Sequence, residues 1–123
     1  MTTNLSIPDS LTPEMKAQIE ALLAQHEVCL FMKGTPQMPQ CGFSGQLVQM
    51  LSYLGVPFVG INVLEDDGLR QGIKVFSDWP TVPQLYVKGE FVGGCDIVRD
   101  LFQTNELRPL LETKGIALQT QRE

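Results

Sequence analysis

One thiol, Cys41, opens the run Cys41-Gly42-Phe43-Ser44 at the head of an amphipathic segment, and no second cysteine follows one turn later. Thiol chemistry runs through the thiolate, and two features favour it here. A helix beginning at Cys41 would aim its unpaired N–H groups and positive dipole end at the sulfur. Lys33 supplies a neighbouring positive charge. In a Cys-x-x-Cys motif the second sulfur attacks a mixed disulfide and closes a ring, whereas Ser44 at that position cannot. Whatever bonds to Cys41 must therefore come from another molecule or from a distant cysteine.

The remaining chemical groups are few. Lys33, Arg70 and Lys74 are cations in an otherwise acidic chain, with Arg70 and Lys74 four residues apart on one helical face. Together they could hold an anion, although Arg70 pairing with Asp66 one turn earlier would explain it equally well. Asp96 follows Gly94-Cys95 and reads as the cap of a helix. Cys29 lies inside an apolar run and reads as a small buried hydrophobe. His26, alone near the end of the first helix, caps or solvates that end rather than binding metal. Cys95 could bridge to Cys41 if the geometry permits. Trp79, Met38 and Phe43 fall close to this region and could face a partner, while Phe43 also fits an inward helical position.

The elements that must position these residues follow from periodicity. Thr12-Pro13 reads as an N-cap and first helical residue, with Met15, Ile19, Leu22 and Leu23 recurring at helical spacing to about His26. The run from Val28 to Lys33 reads as a strand buried on both faces, and Gly34 to Gln40 as a loop. From Cys41, the positions Phe43, Leu47, Met50, Leu51 and Leu54 share one helical face, stopped by Gly55. A second strand spans Pro57 to Val63, and a third helix, from about Glu65 to Phe76, turns Leu69, Ile73 and Phe76 inward. Gln84 to Val87 and Phe91 to Gly93 form a hairpin across Lys88-Gly89. A fourth helix is capped by Asp96, and a fifth runs from about Glu106 to Thr113, ending at Gly115. Strand, helix, strand in that order predicts a parallel pair with a right-handed crossover. Cys41 then sits at the carboxyl end of the first strand, where α/β sheets place their sites.

A length of 123 residues with 43% hydrophobic content predicts one domain over 1–123, with its core at about 11–115 and flexible tails. A net charge of -5 argues against a nucleic-acid partner. Neither a targeting pattern in Met1 to Ser10 nor a membrane-length apolar run is present, and three cysteines without framework spacing suit a reducing compartment. The expectation is a cytoplasmic protein with no membrane association.

Four motifs in order, Met32-Lys33-Gly34-Thr35-Pro36, Pro39-Gln40-Cys41-Gly42-Phe43-Ser44, Trp79-Pro80-Thr81-Val82-Pro83-Gln84 and Gly93-Gly94-Cys95-Asp96, resemble the monothiol, CGFS-type single-domain glutaredoxins of the thioredoxin-fold superfamily. The resemblance covers about Leu11 to Gly115. It implies an α/β thioredoxin fold of glutaredoxin type: a four-stranded mixed sheet in order 2-1-3-4 flanked by about five helices, with a cis peptide before Pro83. It implies a glutathione site in which Lys33, Arg70 and, more loosely, Lys74 take the glycyl carboxylate. The Val82 backbone would pair with the cysteinyl unit, and Gly94, Cys95 and Asp96 would receive the γ-glutamyl end.

It also implies a 2Fe-2S cluster held by Cys41. Four sulfurs are required, and two chains with two glutathiones supply them. The cluster-bound form would be a homodimer, a BolA-type partner could replace one subunit, and acceptor apoproteins would receive the cluster. The alternative is a glutathione-dependent thiol-disulfide oxidoreductase working on protein–glutathione mixed disulfides. The loop Thr35 to Gln40 implies weak activity of that kind at most. A third possibility, an interaction module without redox or metal chemistry, leaves the conjunction of Cys41, Lys33 and Asp96 without a purpose.

Overall fold

The computed structural model describes residues 11–118. The expected tails and the Met1 to Ser10 segment lie wholly or largely outside them. Helix α1 (Pro13–Gln25) starts where Thr12 Oγ1 accepts from the N–H of Met15 at 3.1 Å, with Pro13 at the first helical position. Strand β1 (Val28–Met32) is buried along its whole length, as its unbroken apolar run predicts. Helix α2 (Gly42–Leu54) follows the loop, ends at Gly55 with φ 74°, and leads to β2 (Val59–Asn62). A 3-10 turn (Val63–Glu65) then precedes α3 (Asp67–Ser77). Strands β3 (Gln84–Val87) and β4 (Glu90–Gly93) turn at Lys88 and Gly89, both with positive φ, the conformation of a tight hairpin. Helices α4 (Cys95–Gln103) and α5 (Leu107–Thr113) complete the chain.

The strands form one sheet in order β2-β1-β3-β4, with β1 parallel to β2 and antiparallel to β3, and β3 antiparallel to β4. Because side chains alternate across a sheet, its two faces carry separate cores. Leu30, Met32, Leu85 and Val87 pack with Leu47 and Leu51 of α2, Val98 of α4, and Leu107 and Leu111 of α5. Cys29, Phe31 and Tyr86 pack on the other face with Ile19 and Leu23 of α1 and Leu69 and Ile73 of α3. Truncating a fully buried leucine such as Leu47 or Leu51 to alanine is expected to cost about 2–5 kcal/mol.

Four local details differ from the sequence expectation. Cys41 is the N-cap of α2 rather than its first residue. Helix α3 starts at Asp67, not Glu65, and Asp66 is its N-cap: its Oδ1 accepts from the N–H of Leu69 at 3.1 Å. That carboxylate is therefore occupied, and Arg70 faces Asp67 instead, at 3.9 Å. Gly94, not Asp96, caps α4, and Asp96 stands in the first turn, where it pairs with Arg99 three residues on. Phe43 falls on the apolar stripe of α2 yet is 55% exposed. It belongs to the first turn and lines the cleft described below.

Candidate functional site

The end of β1 and the start of α2 bring Lys33 and Cys41 together through a short, internally bonded loop. The N–H of Gln40 donates to Lys33 O at 2.9 Å, and Thr35 and Met38 exchange backbone hydrogen bonds at 3.2 and 3.0 Å. Gly34 adopts φ 91°, and a Cβ there would lie 2.5 Å from Met38 O, so only glycine fits. Asn62 Oδ1, at the end of β2, accepts from the N–H groups of Gly34 and Leu64 at 2.9 and 3.0 Å. The loop is thus tied to the neighbouring strand.

Burial pushes the Cys41 thiol up, but donors and charge outweigh it and the thiol lies below its ordinary value. The N–H groups of Ser44 and Phe43, the Lys33 ammonium and the Ser44 hydroxyl all favour the thiolate. Ser44 is fully buried and its Oγ accepts from the N–H of Lys33 at 3.1 Å. Reading Ser44 only as a missing second thiol overlooked this. A hydroxyl that follows a helix N-cap cysteine by three residues is the signal that could have revealed it.

All eight candidate residues, Lys33, Cys41, Arg70, Lys74, Val82, Gly94, Cys95 and Asp96, line one cleft of about 490 Å³. Phe43 and the segment Trp79 to Pro83 form the rest of its wall. Its volume falls in the range of small-molecule sites. At one end the cations crowd: the Lys74 ammonium is held below its usual range by burial, then by Arg70 and Lys33. Neither Lys33 nor Lys74 forms an ion pair among the described residues. This end suits a carboxylate. At the other end the N-terminus of α4 begins at the Gly94 cap, and Asp96 Oδ1 accepts from Arg99 Nη2 at 2.9 Å. A Cβ on Gly94 would stand 2.9 Å from Trp79 Nε1, so glycine lets the loop and the helix approach. The Val82-Pro83 peptide is cis.

The other thiols are held in the protonated form. Cys29, fully buried, donates to His26 O and Leu22 O at 3.5 and 3.6 Å, and burial pushes it up to about 11. Cys95 is 9% exposed and donates to Gln46 Oε1 at 3.4 Å. Burial raises it, and the nearby Asp96 and Cys41 add to the rise against the opposing charge of Arg99. All three cysteines are free. A roomier depression of about 800 Å³ between α2 and the α4–α5 corner contains no thiol, and Arg108 is its only charged side chain, so the chemistry lies at Cys41.

A sheet of this order, with a thiol held below its ordinary value at the carboxyl end of β1, defines a thioredoxin-fold protein. A family model described as Glutaredoxin matches residues 28–92. An uncharacterized monothiol glutaredoxin of Synechocystis is 55% identical over 102 residues, covering 83% of this chain and 95% of the relative. Monothiol glutaredoxin-S7, chloroplastic, of Oryza sativa is 53% identical over 102 residues, and the match spans 83% of this chain and 61% of that protein. Among solved structures, reduced poplar apo GrxS14 is 48% identical with a TM-score of 0.75, covering 84% of this chain and 94% of that one. The chain belongs to the glutaredoxin family, as a member of its monothiol type. Among the described residues, no helix is long and apolar enough to cross a membrane.

Proposed function

We propose that this glutaredoxin carries 2Fe-2S clusters as cargo, held between two copies of the chain by Cys41 and one glutathione from each, and delivers them to acceptor apoproteins. The observation that carries this reading is that Cys41 alone of the three thiols is shifted toward the thiolate by its surroundings. Its two fellow cysteines are kept protonated, and among the described residues no three His, Cys, Asp or Glu side chains gather into a metal site. One chain thus offers one sulfur where four are needed. Glutathione fits the cleft by charge: cations for its glycyl carboxylate, the α4 N-terminus for its γ-glutamyl carboxylate and Asp96 for its ammonium. Lys33, Arg70 and Lys74 would also offset the negative charge of the assembled thiolates. A BolA-type partner replacing one copy, and a cytoplasmic location, belong to the same proposal.

The same thiolate supports a second, weaker reaction. Cys41 attacks the glutathionyl sulfur of a protein–glutathione mixed disulfide, releasing the protein thiolate, which takes a proton. A second glutathione thiolate then attacks the Cys41–glutathione bond, yielding oxidised glutathione and free Cys41.

Anaerobic reconstitution with iron and sulfide tests the carrier reading. Visible charge-transfer absorption should develop with glutathione, and should be lost when glutathione is omitted or in Cys41→Ser. Undiminished cluster content in Cys41→Ser would remove Cys41 as the ligand.

A further inference from the structure

The segment 79–83 walls the cleft that Cys41 also lines, and a loop keeps its backbone geometry only when something fastens it. The fastening comes from beneath. Gln84, at the start of β3, is fully buried, and its Nε2 donates to Trp79 O at 3.2 Å and to Thr81 O at 3.0 Å. Its Oε1 accepts from the Tyr86 hydroxyl at 3.2 Å. The two-residue period of a strand places both side chains on one face. Two carbonyls can only accept, so an amide turned the other way would oppose oxygen to oxygen. The network is complete only as it stands.

Tyr86 in turn has little freedom. Its ring packs edge-on against Phe31 at 5.5 Å and beside Phe91 at 5.4 Å, and Phe76 lies at 6.1 Å. Burial pushes its hydroxyl up to about 12, so it remains a donor throughout the neutral range. An amide in an apolar core is tolerated only because each of its groups is bonded, and those bonds go to the cleft wall.

We propose that Gln84, oriented by the Tyr86 hydroxyl, is the positioning residue for the 79–83 wall, holding the Val82 backbone at the spacing from Cys41 that glutathione requires. This deepens the proposed function and rests on glutathione occupying the cleft. Neither side chain is among the residues that line the cleft. Ionisation of Cys41 is governed by α2, Ser44 and Lys33, so ligand affinity and thiol acidity separate.

The test uses the full chain with reduced glutathione as the titrant in calorimetry. Tyr86→Phe removes one hydroxyl and should raise the Kd about 3- to 10-fold. Gln84→Met keeps length and packing but strands two carbonyls, and should raise it at least about tenfold. The pH midpoint of Cys41 alkylation should stay at the wild-type value in both variants. Hydrogen exchange at the backbone amides of Trp79, Thr81 and Val82 should speed up. Variants that lose thermal stability yet bind glutathione as tightly as wild type, well below their unfolding temperature, would overturn the positioning role alone. Wild-type protein that fails to bind glutathione would overturn the occupant and this inference together.

Discussion

The backbone N–H of Lys33 donates to Ser44 Oγ at 3.1 Å, joining the end of β1 to the first turn of α2 through a fully buried hydroxyl. One lone pair of that oxygen is engaged by Lys33, and the hydroxyl also favours the Cys41 thiolate. The residue that replaces a resolving thiol thus locks the cation and the nucleophile into one unit.

Ser44→Ala removes the acceptor of the Lys33 N–H and the hydroxyl that favours the Cys41 thiolate. The alkylation midpoint of Cys41 is expected to move upward, because a donor to the thiolate is lost. Unfolding free energy should fall by about 1–3 kcal/mol as the Lys33 N–H loses its partner. Iodoacetamide rates against pH and urea midpoints measure the two effects separately.

Alkaline pH should destabilise the fold through Cys29. Its folded value, about 11, lies above its ordinary value of 9.0, so the folded chain holds a proton that the unfolded chain releases. The resulting stability is fully present below about pH 9 and is lost as pH rises from about 9 to 11, amounting to about 2–3 kcal/mol. Cys29→Ala should be less stable at neutral pH but should show a shallower decline across that window. Parallel slopes would remove Cys29 as the cause.

Asp96 is paired with Arg99 across an exposed i,i+3 contact, worth only about 0–1 kcal/mol. Asp96→Ala is therefore expected to leave the melting temperature nearly unchanged while weakening glutathione about tenfold or more, since a charge-assisted bond to the ammonium disappears. Calorimetry with glutathione and a thermal melt on the same sample decide it. Wild-type affinity in the variant would count against Asp96 as the ammonium acceptor.

Gly94→Ala forces Trp79 to move, because the new Cβ would sit 2.9 Å from its Nε1. Trp79 is the only tryptophan of the chain, so its fluorescence reports the movement directly. A changed emission maximum with weaker glutathione binding is expected. An unchanged spectrum would show that the close approach is relieved elsewhere.

Much of this arrangement was legible in the residues because local rules and tertiary packing agree. The unbroken apolar run at Val28 to Met32 became a central strand, Gly55 stopped α2 in the left-handed conformation, and Lys88-Gly89 made the hairpin. Helix starts were less legible where side chains had competing partners. Asp96 looked like a cap, but Arg99 holds its carboxylate and Gly94 takes the capping position. Asp66 has the spacing to pair with Arg70, yet it caps α3. Phe43 keeps helical spacing but is exposed in the wall of the cleft. The cleft's residues come together from the four motifs and from α3, which supplies Arg70 and Lys74. Its second layer, Ser44 under Cys41 and Gln84 under the 79–83 wall, depends on buried hydrogen bonds between elements, which periodicity does not encode.

In the proposed cluster-bound form each chain contributes one sulfur and glutathione contributes the next. Native mass spectrometry of the anaerobically reconstituted protein reads that stoichiometry directly. Two chains, two glutathiones and one 2Fe-2S unit in a single ion is the composition expected from the four-sulfur count. A cluster-bearing species without glutathione, or glutathione bound to a monomer that never takes up iron, would contradict it.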